Sequence, residues 1–381
     1  MGYDKKKQGV KYLMEYYFKA EKMTVGYDGN AIIENINFSI KKGEILTIIG
    51  PNGAGKSTIL KSITRQLEKL DGAVYIGNKN QAEMSANELA RNMAVVSTKP
   101  IKAELMTCED VVATGRYPYT GRFGLLSHED KEIAKEAMKL VNVYEIKDRD
   151  FSKISDGQRQ RIMLAKAICQ NPQIIVLDEP TSYLDIKYKL EFLSVLQQLK
   201  RQKNLTVIMS LHELELAERI SDKMLCVSGK YIDRFGTPEE IFNEGYISRL
   251  FDIKCGNFDE IGENTELAPP LGKPNIFVIA GCGSGRKIFR KLQRSGKAFF
   301  AGIINQNDLD YPSAKALAAK IVETEAFEPV SNEFIETAKR LIDLCDKVIC
   351  VRHNFGVYEE YNRKLYEYAV KCDKLMGIED I

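Results

Sequence analysis

Apolar positions along the chain follow two spacings. Tyr16 to Val25, Ala31 to Ile40 and Glu44 to Ile49 read as β-rich. Residues 128–142, 157–170 and 187–202 carry apolar side chains at helical spacing. IIVL at 174–177 and LTVIMSL at 205–211 are almost unbroken apolar runs, the pattern of parallel strands buried on both faces. Strands alternating with helices predict an α/β domain.

Residues 255–274 interrupt this rhythm. CGNFDEIGENTELAPPLGKP holds Pro269, Pro270 and Pro274 among polar residues and predicts an interdomain linker. A new alternation follows it: a strand at 276–281, a GCGSG turn, a helix at 286–295 and a strand at 299–304. Helices near 312–321, 332–345 and 358–371 and a strand at 348–351 complete it. The expected division is a first domain over 1–268, with a helical subdomain at about 99–165, and a small Rossmann-like α/β domain over 269–381. No internal repeat or low-complexity tract is visible.

Composition narrows the class. A chain of 381 residues is long for one compact domain. Apolar residues at 44% and charged residues at 28% fit a soluble globular chain. The net charge of +2 supplies no field directed at nucleic acid, and none is expected as a partner. Lys5–Lys7 reads as a solvated tail. The eight cysteines form no CxxC pair and read as reduced thiols of a cytosolic protein. No run of about 18 apolar residues occurs, and the N-terminal residues lack an apolar secretory stretch. A membrane role would therefore come through partners.

GPNGAGKS, comprising Gly50, Pro51, Asn52, Gly53, Ala54, Gly55, Lys56 and Ser57, fits G-x-x-x-x-G-K-[ST]. It follows the apolar EILTIIG and precedes a helix opening with Thr58. Such glycines let backbone N–H groups turn toward phosphate oxygens, and the helix N-terminus adds a favourable dipole. Lys56 is placed to reach the β- and γ-phosphates of ATP, and Ser57 to ligate Mg2+. The alternative, a glycine-rich turn that binds nothing, does not account for the strand, helix and four fixed residues together.

IIVLDEP places Asp178 and Glu179 at the end of an apolar strand, the edge where ligands sit in open α/β sheets. Asp178 can hold Mg2+ through water, and Glu179 can orient or deprotonate an attacking water. Alone, an acidic pair at a strand end is also an ordinary turn. His212, after LTVIMSL, is either a structural hydrogen-bonder or a contact to the γ-phosphate.

Between these lies ISDGQRQR at 154–161, which resembles the signature of the ATP-binding-cassette ATPases, usually LSGGQ. Ser155, Gly157 and Gln158 match, Ile154 is conservative and Asp156 replaces a glycine. The resemblance spans about residues 16–250 and orders Tyr27, the phosphate loop, the signature, IIVLDE, SYLD at 182–185 and His212. It implies that Tyr27 stacks on adenine, that Asp185 communicates across a dimer and that His212 senses the γ-phosphate. It also implies that Ser155, Asp156, Gly157 and Gln158 meet nucleotide on a second cassette, so two cassettes sandwich two ATP molecules. The family usually carries glutamine after the strand MAVVS, where Thr98 stands here. Threonine is shorter, and Thr98 reads either as a coupling residue or as an ordinary strand end.

Long coiled-coil insertions are absent between Ser57 and Ser155, and only one cassette is present. A transporter subunit fits better than DNA-repair or translation-associated relatives. GRYP within 111–124 and the SDGQRQR form resemble importers of metal chelates: iron-siderophores, haem and cobalamin. Alternatively, Pro118 and Gly121 only shape a loop. The resemblance implies an ATPase held peripherally at the cytoplasmic face of the membrane. Its implied partners are permease subunits and an extracytoplasmic binding protein. A soluble cassette ATPase that regulates a partner without transport is the alternative. In the second domain, Gly281, Gly283 and Gly285 form a turn that could hold a phosphate or carboxylate. Against G-x-G-x-x-G, Arg286 replaces the third glycine, and Asp308 and Asp310 stand near the place of the ribose-binding acid. A packing or dimerisation module is the competing reading.

Overall fold

The structure, a computed structural model, describes residues 16–97, 105–121, 123–182, 184–243, 245–259, 264–352 and 354–380. Thr98 and Tyr183 lie outside them. The chain divides into two units, Met1–Phe242 and Asn243–Ile381.

The first unit holds two sheets. An antiparallel sheet runs β2 (Asn30–Ile40), β1 (Phe18–Tyr27), β4 (Asp71–Ile76), β5 (Lys79–Asn80). A six-stranded sheet runs β10 (Tyr231–Gly236), β9 (Lys223–Ser228), β3 (Ile45–Ile49), β8 (Thr206–Ser210), β7 (Ile174–Leu177), β6 (Met93–Val96). All its pairings are parallel except that of β10 with β9. Every residue of β3, β7 and β8 is buried, which is why these strands read as unbroken apolar runs. Helix α1 (Lys56–Ile63) joins the two sheets in one core, where Ile59 and Ile63 pack with Phe18 and Ile36 and with Val176 and Ile208. The parallel strands bring their carboxyl ends to one edge, and the chemistry-bearing loops collect there. Helices α2 (Ala86–Asn92), α6 (Ile186–Lys203), α7 (Leu214–Ile220) and α8 (Pro238–Ile241) connect the strands.

Between β6 and β7 lie α3 (Cys108–Ala113), α4 (His128–Leu140) and α5 (Asp156–Cys169), which pack on one another. Each starts with a reciprocal capping box: Thr107 with Asp110, Ser127 with Asp130, Ser155 with Gln158. The GRYP segment fastens this subdomain. A Cβ at Gly115 would stand 2.4 Å from the Lys166 carbonyl oxygen, so only glycine allows this close approach to α5. Arg116 is buried; its Nε donates to Asp130 Oδ1 at 2.8 Å and its Nη1 to the Cys169 carbonyl at 3.0 Å. Its guanidinium lies 4.0 Å from the Tyr119 ring centroid. Arg116 holds the Asp130 carboxyl below the usual carboxylate range, helped by Ser127. A depressed folded-state value stabilises the fold above the unfolded value and loses that contribution as pH falls through the folded value. Arg116→Ala strands Asp130 and is expected to cost about 3 kcal/mol. A lowered unfolding midpoint in urea checks this; an unchanged midpoint removes the pair as a fastening.

The second unit begins with α9 (Tyr246–Leu250) and an antiparallel hairpin, β11 (Asn257–Asp259) with β12 (Asn264–Glu266). The segment expected to be a linker thus carries structure, and the units divide at 242/243 rather than at 268/269. The reason is Glu266, which is buried, pairs with Arg290 Nη2 at 2.7 Å and accepts from Ser313 Oγ at 2.6 Å. A five-stranded parallel sheet follows in the order β15 (Lys320–Thr324), β14 (Phe299–Asn305), β13 (Ile276–Ile279), β16 (Lys347–Cys350), β17 (Leu375–Met376). Alternate residues of β13 face opposite ways. Ile276 and Val278 pack with α10 (Arg286–Arg294) and α11 (Tyr311–Leu317). Phe277 and Ile279 pack with α12 (Asn332–Asp343) and α13 (Glu360–Lys371). This two-sided covering is the doubly wound, Rossmann-like arrangement. The helix expected over 312–321 stops at Leu317, because Ala319 N–H donates to the Phe299 carbonyl and begins the β15 pairing.

Candidate active site

The phosphate loop lies between β3 and α1. A Cβ at Gly55 would come within 2.8 Å of Ile33 Cδ1, and Gly55 has φ of 96°, so this position requires glycine. Lys56 is buried, and its Nζ donates to the carbonyls of Gly50 (2.8 Å) and Pro51 (3.0 Å). Burial holds its pKa below the ordinary lysine value, with Glu179 and Asp178 acting against that shift. The ammonium can exchange two loop carbonyls for phosphate oxygens without leaving its place.

Ser57 Oγ donates to Asp178 Oδ1 at 2.9 Å, tying the first turn of α1 to the end of β7. Ser210 Oγ, at the end of β8, donates to the same oxygen at 2.9 Å and accepts from Glu179 N–H at 2.9 Å. Hydroxyl and carboxylate oxygens together suit a hard cation such as Mg2+, which takes one or two protein ligands alongside phosphates and water. Among the described residues, no cluster of three or more His, Cys, Asp or Glu makes an all-protein metal cage.

Glu179 has φ of 49°, the left-handed region that non-glycine residues rarely enter. Three contacts fix it there: its N–H to Ser210 Oγ, its carbonyl from Ser182 N–H, and its Oε1 to His212 Nε2 at 2.6 Å. Both side chains of that last pair are about one-third exposed, so water reaches them. The structure therefore brings Lys56, Ser57, Asp178, Glu179 and His212 to one sheet edge. Tyr27 ends β1 beside an Asp28–Gly29 turn in which both residues have positive φ, and its ring is 42% exposed and free to stack.

The signature forms the start of α5. Ser155 Oγ accepts from Gln158 N–H, and Gln158 Oε1 accepts from Ser155 N–H. Asp156, the departure from the usual glycine, pairs with Arg159 at 2.7 Å on the exposed face. Asp185 caps α6, accepting from Tyr188 N–H at 3.0 Å. Three residues that the motifs did not single out join these parts. Gln160 Nε2 donates to the Pro180 carbonyl at 2.8 Å, linking α5 to the loop after Glu179. Glu213 accepts from Thr181 at 2.8 Å and pairs with Lys189 at 2.5 Å. Ser210 is the third. Its signal was present in the sequence: a hydroxyl inside an apolar strand needs a partner.

The second unit corrects the anion-site expectation at Gly281, Gly283 and Gly285. The turn's amides are taken by the protein's own carboxylates. Asp308 accepts from Cys282 N–H at 2.7 Å and Gly283 N–H at 3.4 Å. Asp310 accepts from Gly285 N–H at 2.8 Å and Arg286 N–H at 3.0 Å. The two acids in the place of the ribose contact cap the turn where a phosphate would sit. Burial raises the Asp310 pKa, against the pull of those two amides.

A family model described as ABC transporter matches residues 33–182, and one described as the MJ0874 family matches residues 299–380. The chain is 42% identical over 278 residues to the uncharacterized ABC transporter ATP-binding protein MJ0873 of Methanocaldococcus jannaschii, covering 73% of this chain and 96% of that one. It is 37% identical over 233 residues to the iron(3+)-hydroxamate import ATP-binding protein FhuC of Bacillus subtilis, covering 61% of this chain and 87% of the relative. Among solved structures, the dimeric structure of MJ0796, a bacterial ABC transporter cassette, matches with a TM-score of 0.52 and 27% identity, covering 58% of this chain and 98% of that one.

Proposed function

Because the chain belongs to the ATP-binding proteins of ABC transporters, a family of ATPases, we propose that it powers a metal-chelate importer of the iron-siderophore, haem or cobalamin class. The observation that carries the ATPase chemistry is the Ser57–Asp178–Ser210 contact with Glu179 and His212 beside it. Tyr27 stacks on adenine, and the amides of residues 50–58 with Lys56 hold the phosphates. Ser57 and Asp178 hold Mg2+, which neutralises charge on the β- and γ-oxygens. Glu179 orients the attacking water and takes its proton, and His212 holds the Glu179 carboxylate toward the γ-phosphate.

Ser155, Asp156, Gly157 and Gln158 complete the site of a second copy, so the working unit is a homodimer. Its partners are integral permease subunits, reached from the cytoplasmic face, and an extracytoplasmic binding protein. No helix among the described residues is long and apolar enough to cross a membrane, which fits attachment through such partners. Asp185 and Thr98 couple the cassettes to transport. The iron(3+)-hydroxamate importer relative supports the chelate class.

The test is isolation of the tagged chain from detergent-solubilised membranes of its host. A multi-span permease is expected to accompany it, and reconstituted vesicles should take up ferric hydroxamate only with ATP. Recovery of an active ATPase without a membrane subunit would favour the second reading, a soluble cassette that regulates a partner.

A further inference from the structure

We propose that the second unit binds an uncharged planar nitrogen heterocycle, of the nucleoside kind, in the cavity above the carboxyl ends of β14 and β15. This cavity holds about 730 Å3, within the usual range for small-molecule sites. It sits at the strand edge where doubly wound sheets take ligands.

Its floor is built for hydrogen bonding. Asn305, the last residue of β14, lines it. The Asn305 carboxamide is fixed on both sides: its oxygen accepts from the Thr324 hydroxyl, and its Nδ2 donates to Tyr361 Oη at 3.3 Å. One N–H and one lone pair remain for a ligand. Tyr361 Oη accepts in that bond and keeps its own proton to donate. Asn307 adds a second carboxamide to the lining. A carboxamide presents a donor beside an acceptor, which matches the edge of a nitrogen heterocycle in the way Asn pairs with adenine.

The rim supplies flat apolar faces. Phe327 and Tyr358 both line the cavity and are each 93% exposed. Large aromatics left this open mark a binding surface, and base stacking on such rings is worth about 1–3 kcal/mol per base.

Charge decides against a phosphorylated ligand. Glu328 and Glu360 line the cavity against one ammonium, Lys364, which stands 3.7 Å from Glu360. The neighbouring GCGSG amides, which would receive a phosphate, are already bound to Asp308 and Asp310. A phosphate entering there meets carboxylates rather than donors.

The chain contains no tryptophan, so Tyr358→Trp places a single reporter at this rim. Full-length Tyr358→Trp protein is titrated with adenosine and guanosine, then with AMP and GMP, by tryptophan fluorescence. Calorimetry on the unsubstituted chain, with the cassette first saturated with ADP, repeats the series without the reporter. At least one nucleoside is expected to bind saturably in both, its monophosphate at least tenfold more weakly, and Asn307→Leu should weaken the nucleoside at least tenfold. Silence toward both nucleosides in both measurements overturns the proposal. So does a monophosphate that binds as tightly as its nucleoside, or indifference to Asn307→Leu. None of these outcomes depends on the importer reading.

Discussion

Glu179→Gln is expected to slow ATP turnover by about two orders of magnitude or more, the scale lost with a general base, while ATP still binds. Glutamine keeps the length of the side chain and can still meet Ser182 and His212. The left-handed backbone and its N–H bond to Ser210 do not depend on the carboxylate. What disappears is the proton acceptor on an oxygen that water reaches. Hydrolysis stalls after closure, so an ATP-bound dimer should accumulate and elute at twice the monomer mass in size-exclusion chromatography. Phosphate release checks the rate. Near-native release from Glu179→Gln would remove this residue from the role.

The parts of this site that were legible in the sequence are those whose chemistry needs fixed neighbours. Lys56 and Ser57 follow glycines at set spacing, and Asp178 and Glu179 end an apolar run, so residue type and position together announced them. Ser210, Gln160 and Glu213 were less legible because each acts through a contact made across the sheet, 20 to 32 positions away in sequence. The GRYP segment was read as a cargo hint or a loop former, yet Arg116 is a buried fastening of the helical subdomain.

In the second unit, local pattern misled twice. KALAAK reads as continuous helix, but Ala319 starts a strand because β14 offers a free edge. GCGSG reads as an anion nest, but nothing local reveals that Asp308 and Asp310, some 25 positions on, will fold back to occupy its amides. The prolines after Glu266 were taken to mark a flexible linker. The buried Glu266–Arg290 pair, a tertiary contact, decides otherwise. Periodicity reports which face is buried and says little about which distant polar group a loop will meet.

Lys56→Ala is expected to weaken ATP binding at least about 100-fold. The argument begins with burial. The Lys56 side chain occupies the centre of the phosphate loop, with Nζ bonded to Gly50 and Pro51 carbonyls. Alanine leaves those carbonyls without a cation and leaves space that the loop must fill or flood. It also removes the one buried ammonium that Asp178 and Glu179 act on in this site. The β- and γ-phosphates then lose charge-assisted hydrogen bonds worth about 1.5–3 kcal/mol each. About 2.8 kcal/mol is already a factor of 100 in affinity. Lys56→Arg should not restore it, because a planar guanidinium does not fit a loop closed around a compact ammonium. Mg2+ does not compensate either, since Ser57 and Asp178 place it on the far side of the phosphates' charge from Lys56 only if the lysine first holds them in position. Equilibrium binding of a fluorescent ATP analogue, displaced by ATP, measures the loss. Ordinary affinity together with an ordinary hydrolysis rate in Lys56→Ala would sink the assignment of residues 50–58 as the phosphate loop.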